Sequence, residues 1–158
     1  MVIRNIVADD NAAMAAIIRN SLEEFDAAKP GTVYYDETTD HLSDLFNSPA
    51  REYFVIEEDG EIAGGAGYFP TEGLPEKTCE LVKLYVSKKF RRKSYGRKLL
   101  QKCMQEARKA GYDKMYLESM PELTSALPLY EKKGFIYLPH SLGNSGHNGC
   151  EIWMIRDL

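Results

Sequence analysis

The segment "CELVKLYVSKKFRRKSYGRKLLQKCMQEARKAG", residues 79 to 111, constrains the fold more than any other. It reads as a strand ending at Val86, a basic loop, and a helix stopped by Gly111. Leu99, Leu100, Cys103, Met104, Ala107 and Ala110 form one apolar stripe that has to be buried. Between Lys88 and Lys98, seven of eleven residues are Lys or Arg and none is acidic. The chain has a net charge of −4, so outside this loop 13 basic residues stand against 24 acidic ones. Charge concentrated in one spot suits a compact polyanion. A nucleic-acid binder would spread it over a face and add aromatic platforms, which are missing here. The helix start supplies unpaired N–H groups and the positive end of the dipole, and Ser94 and Gly96 are small enough for close approach. The phosphate-loop patterns GxxxxGK[ST] and GxGxxG are both absent.

The remaining pattern predicts one domain over residues 1–158. Val2 to Val7 reads as a strand. The following helix, capped by Asp9 or Asp10, has Met14, Ile17, Ile18, Leu22 and Phe25 on its apolar face. Asp59-Gly60 between two β-rich runs is a hairpin turn, and "KMYLESM" is a further strand. "PELTSALPLYEKKGF" has helical spacing with two short pieces or a bend expected at Pro128, and two short strands close the chain. The three cysteines show no pairing or zinc pattern, and neither a leader-like apolar core nor a bilayer-length run occurs. These features predict a soluble, cytoplasmic protein with reduced thiols and no membrane partner, and they leave a homodimer open.

Arg91-Arg92-Lys93-Ser94-Tyr95-Gly96, continued by Arg97-Lys98-Leu99-Leu100, resembles the R/Q-x-x-G-x-G/A acyl-CoA motif of the GNAT superfamily of N-acetyltransferases. "LYEKKGF" at Leu129 to Phe135 and the strands "LYV" and "YLES" resemble further family elements. The resemblance implies an α/β (α+β) fold. Its mixed, mostly antiparallel central sheet would have about seven strands flanked by about four helices, the fourth and fifth strands splaying apart. It implies acetyl-CoA as co-substrate. The backbone of Leu84, Tyr85 and Val86 would meet the pantetheine arm, and Arg91, Arg92, Lys93, Ser94, Tyr95, Gly96 and Arg97 would surround the diphosphate. Ser94 stands where the family usually has glycine, and Leu123 where many members have asparagine.

Acetyl transfer to a primary amine of a small molecule or peptide requires a base for the ammonium and an acid for the leaving thiolate. By resemblance, Glu80 on the "CELVKLYV" strand is the general base, with Glu118 as substitute, and Tyr130 is the general acid. Tyr34, Tyr35, Asp36, Glu37, His140 and His147 are candidates for lining the acceptor pocket. The histidines lack zinc-type spacing with the cysteines, so no metal is expected. A non-catalytic acetyl-CoA sensor of the same fold is the alternative reading.

Overall fold

Short β-rich runs joined by tight turns pair antiparallel with their neighbours, and this rule builds most of the structure. A computed structural model describes all of residues 1–158. The strands are β1 (Val2–Asn5), β2 (Glu52–Glu58), β3 (Glu61–Phe69), β4 (Thr78–Val86), β5 (Lys114–Ser119), β6 (Ile136–Leu138) and β7 (Ile152–Asp157). The helices are α1 (Asn11–Glu24), α2 (Leu42–Leu45), α3 (Tyr95–Lys109) and α4 (Leu127–Lys132). The seven strands form one sheet in the order β1-β2-β3-β4-β5-β7-β6. Every neighbouring pair is antiparallel except β4–β5. Asp59 and Gly60 both take positive φ at the β2–β3 turn, as that dipeptide predicts.

Each face of the sheet carries a core. On one, α3 inserts Leu99, Leu100, Cys103 and Ala107 among Phe54, Ile56, Leu81, Met115 and Leu117. Leu99 and Leu100 are fully buried, each stabilising the fold by about 1.5–3 kcal/mol. On the other face, Met14, Ile18 and Leu22 of α1 pack with Leu42, Phe46, Tyr53 and Val55. Ile17 is only partly buried there, and Phe25 lies just past the end of the helix.

Of the two expectations at Pro128, the chain shows a break into separate pieces and no bend. Residues 121–126 form successive turns, with the Leu123 N–H donating to the Met120 carbonyl and the Ala126 N–H to that of Leu123. The helix begins only at Leu127, which puts Pro128 in its first turn. The missing N–H has no helical partner at that position, so the proline starts the helix and does not bend it.

The pairing between β4 and β5 positions the functional site. It consists of Thr78 with Lys114, Cys79 with Met115 and Glu80 with Tyr116, and then ends. Beyond Glu80 the two strands diverge while each stays bonded to its outer neighbour. A bulge in β4 accompanies the divergence: Tyr85 pairs with Gly65 and Val82 with Gly67, so Lys83 and Leu84 together face Ala66. Bulges bend the strand that carries them and increase its twist.

Candidate active site

The gap between β4 and β5 opens into a cleft of about 820 Å³. Leu84, Tyr85 and Val86 line one wall and Leu117, Leu129 and Tyr130 another, while Arg91, Arg92, Ser94, Tyr95, Gly96 and Arg97 border it where α3 begins. Of the residues predicted for the basic loop, only Lys93 does not line the cleft. Its ammonium pairs with Glu58 at 2.9 Å, on the β2–β3 hairpin. Arg91 lines the cleft, but its guanidinium is already engaged: Nε donates to the Val86 carbonyl at 3.2 Å and Nη1 pairs with Glu24 at 2.7 Å. It also lies over the Phe25 ring, tying the loop to the end of α1. Arg92 and Arg97 have no such partner.

The loop adopts an unusual backbone. Arg92 and Ser94 both have positive φ, 67° and 62°. Ser94 precedes the first turn of α3 and makes no side-chain cap bond, so the N–H groups of Tyr95, Gly96 and Arg97 stay unpaired. A Cβ built on Gly96 would meet only Leu129 and Leu84, at 3.5 and 3.9 Å. The surface above this turn is open to an anion, which the backbone groups and helix dipole favour.

Tyr130 is buried beside the cleft, with its ring edge-on to Phe135 at 5.9 Å. Its hydroxyl bonds to no protein group, and burial pushes its pKa well above the ordinary phenol value. The group therefore keeps its proton until something accepts it.

A second, smaller cavity of about 50 Å³ adjoins the cleft, sharing Lys83, Tyr85, Glu118 and Leu123 with it. The α1–α2 and β6–β7 loops line it, and a third loop bonds to Glu80 in its wall. The β3–β4 loop brings Thr71, whose hydroxyl donates to Glu80 at 2.6 Å. The β6–β7 loop brings Ser145, donating to Glu118 at 2.5 Å, and His147. The α1–α2 loop brings Asp36, whose carboxylate meets His147 Nε2 at 2.7 Å. Glu118 also accepts from the Tyr116 hydroxyl at 2.7 Å. Glu80 is 4% exposed, and burial pushes its pKa up to about 7. The neighbouring Glu118 adds to that rise, while Thr71, His147 and Lys83 oppose it.

Asp36 and His147, both candidates for the acceptor pocket, are in contact, whereas Tyr35 is exposed and His140 bonds only to the Ser141 carbonyl. One ligand-type atom each from Glu80, Glu118 and His147 lies within 4.8 Å of the others. Two carboxylates and an imidazole are ligand types that zinc uses, a grouping that the His–Cys spacing used on the sequence does not reveal, but each is already held by a protein partner. Lys83 is the residue that sequence reasoning missed. A lysine inside the otherwise apolar run "LVKLYV" is the signal that marked it.

The sequence profile of the acetyltransferase (GNAT) family matches residues 16–135. The chain is 36% identical, over 99% of its length and 95% of the relative's, to the uncharacterized N-acetyltransferase YjgM of Escherichia coli K12. The fold matches a GNAT-family acetyltransferase from Staphylococcus aureus Mu50 with a TM-score of 0.85 and 17% identity, covering 99% of this chain and 98% of that one. It also matches yncA of Salmonella typhimurium, solved with its cofactor acetyl-CoA, with a TM-score of 0.77 and 22% identity over 99% and 93% of the two chains. At these identities the structural likeness is one of fold.

Proposed function

Because the chain belongs to the acetyltransferase (GNAT) family, we propose that it moves an acetyl group from acetyl-CoA to a primary amine by direct attack, Glu80 acting as base and Tyr130 as acid. The observation that carries the reading is the pair of joined cavities, one holding a buried carboxylate and the other a buried phenol. Acetyl-CoA suits the larger cleft. The unpaired N–H groups of Tyr95, Gly96 and Arg97, with Arg92 and Arg97, supply donors for the diphosphate. The inner edge of β4 at Leu84 to Val86 supplies peptide groups for the pantetheine amides. Lys93 and Arg91 act on the loop itself, as struts to Glu58 and Glu24.

The acceptor amine enters the smaller cavity as an ammonium. Its proton passes to Glu80, the nitrogen lone pair attacks the thioester carbonyl, and collapse of the tetrahedral intermediate breaks the C–S bond. Tyr130 gives its proton to the departing sulfur and takes up the second proton of the nitrogen, relayed through the solvent-linked cleft, while Glu80 releases its own to solvent. An alkyl ammonium near ~10.4 giving its proton to an ordinary carboxylate near ~4.3 is uphill by roughly 8 kcal/mol. With Glu80 at about 7 the step costs roughly 5 kcal/mol, so burial of the carboxylate makes it a better base. Three unpaired thiols suit a cytoplasmic setting for this reaction.

The test is release of CoA thiol from acetyl-CoA across a panel of small primary amines and peptides. Amine-dependent release with an N-acetylated product supports the transferase. Tight acetyl-CoA binding with no amine consumed would leave a sensor in its place.

A further inference from the structure

Lys83 takes no part in the proton transfers above, yet the fold holds it in a strained position. Its φ is +52°, in the left-handed region that costs an L-residue roughly 1–2 kcal/mol. The hydroxyl of Tyr53, fully buried on β2, reaches across the sheet to the Lys83 carbonyl at 2.7 Å. Two glycines of β3 make room for that ring. A Cβ at Gly65 would sit 2.5 Å from Tyr53 Cε1, and one at Gly67 would sit 2.6 Å from Cδ2. Residues on two neighbouring strands therefore support the bulge that carries one lysine. Strain maintained in this way at the wall of a cavity is a pointer to function.

The charges around Lys83 narrow what it can bind. Lys83 lines both cavities, and its ammonium makes no ion pair or hydrogen bond. The anions nearby have other partners: Asp36 has His147, Glu80 has Thr71, and Glu118 has Tyr116 and Ser145. A half-buried cation without a partner is costly, and a bound anion relieves that cost. A phosphate or sulfate dianion would also meet the three carboxylates. A single carboxylate attached to the reacting ammonium would not, because the pair is neutral and offers each sign to its opposite. The cavity of about 50 Å³ has room for a few water-sized groups, which fits such a headgroup with the rest of the molecule extending outward.

We propose that Lys83 binds an acceptor carboxylate, with Glu80 and Glu118 facing the ammonium, so that the substrate class is free amino acids or compounds with an amino-acid headgroup. This inference rests on the transferase reading and specifies its acceptor. The test compares thiol release for free L-amino acids with that for their C-terminal carboxamides, at saturating acetyl-CoA. The free acids should have kcat/KM about 10–100-fold higher, the worth of one hydrogen-bonded charge contact. Lys83→Met should lower kcat/KM for the acids by a similar factor and bring the acid-to-amide ratio toward one, while Lys83→Arg retains part of the preference. If Lys83→Met does not fold, the wild-type ratio alone decides. Equal use of acids and amides by the wild-type protein overturns the inference and leaves the transferase standing. Thiol release from neither set, while another amine of the panel is acetylated, overturns the inference alone, and release with no amine at all overturns both.

Discussion

Replacing Glu80 with Gln should inactivate the protein and, above neutral pH, stabilise it. The side chain is 4% exposed, and its pKa lies at about 7 against an ordinary 4.5. Burial is the main cause, because the charged form loses its hydration. An acid whose folded pKa is raised leaves stability intact below about pH 4.5 and subtracts from it as pH climbs through 7. The difference corresponds to about 3 kcal/mol at pH 9. Gln keeps the shape and can still accept from Thr71, but it never ionises. Wild type and variant should therefore melt together below about pH 4 and differ by less than about 1 kcal/mol near pH 5. By pH 9 the variant should melt about 6–10 °C higher, as expected for a domain of this size. In the same preparations, wild-type kcat/KM should rise through about pH 7, and the variant should lose about 10²–10⁴-fold together with that limb. Thermal scanning and thiol release across pH 4–9 measure both. A melting difference that stays constant with pH, or a variant within threefold of wild type, would refute the assignment of Glu80 as a buried base.

Tyr130→Phe keeps the ring against Phe135 and removes only the proton donor. It should lower kcat by about 10²-fold, roughly 2.7 kcal/mol, with KM for acetyl-CoA nearly unchanged. Arg92→Ala should weaken CoA by about tenfold in calorimetry and pantetheine much less, since the lost contact is to phosphate; equal losses would remove Arg92 from that role. Ser94→Gly relieves a positive φ of 62° and should raise stability by about 0.5–1 kcal/mol in urea melts; a loss would mean that the serine side chain supports the loop.

The sequence revealed the strands, the basic loop and α3 because each rests on local pattern, whether alternation, a stripe of leucines or an Asp-Gly turn. The convergence of Asp36 and His147 was expected only as shared membership of a pocket. Their contact spans 111 positions and depends on how two irregular loops fold over the sheet. Lys93 shows a different limit. Composition counts it with its neighbours, yet the hairpin end at Glu58 turns it away from the cleft. The role of Pro128 depended on where α4 begins, and the turns at 121–126 set that boundary. The Lys83 bulge in the β3–β4 register is held by Tyr53, which the β2–β3 register sets against two glycines, a relation across three strands that no local window contains.

A sheet of seven strands ordinarily has two free edges, and this one has four. Past Glu80 and Tyr116, β4 and β5 turn unpaired peptide groups toward each other across the gap. Such edges invite pairing with foreign strands. Under the proposed reading the pantetheine arm is also a missing rung of the sheet, and its arrival protects main-chain amides as well as delivering an acetyl group. Deuterium uptake at Leu84 to Val86 should then slow on CoA binding. At a concentration 100 times Kd the ligand adds about 2.7 kcal/mol to stability. In a starved cell with little acetyl-CoA, the chain would be both idle and prone to aggregation. Its lifetime would then follow the supply of its own co-substrate.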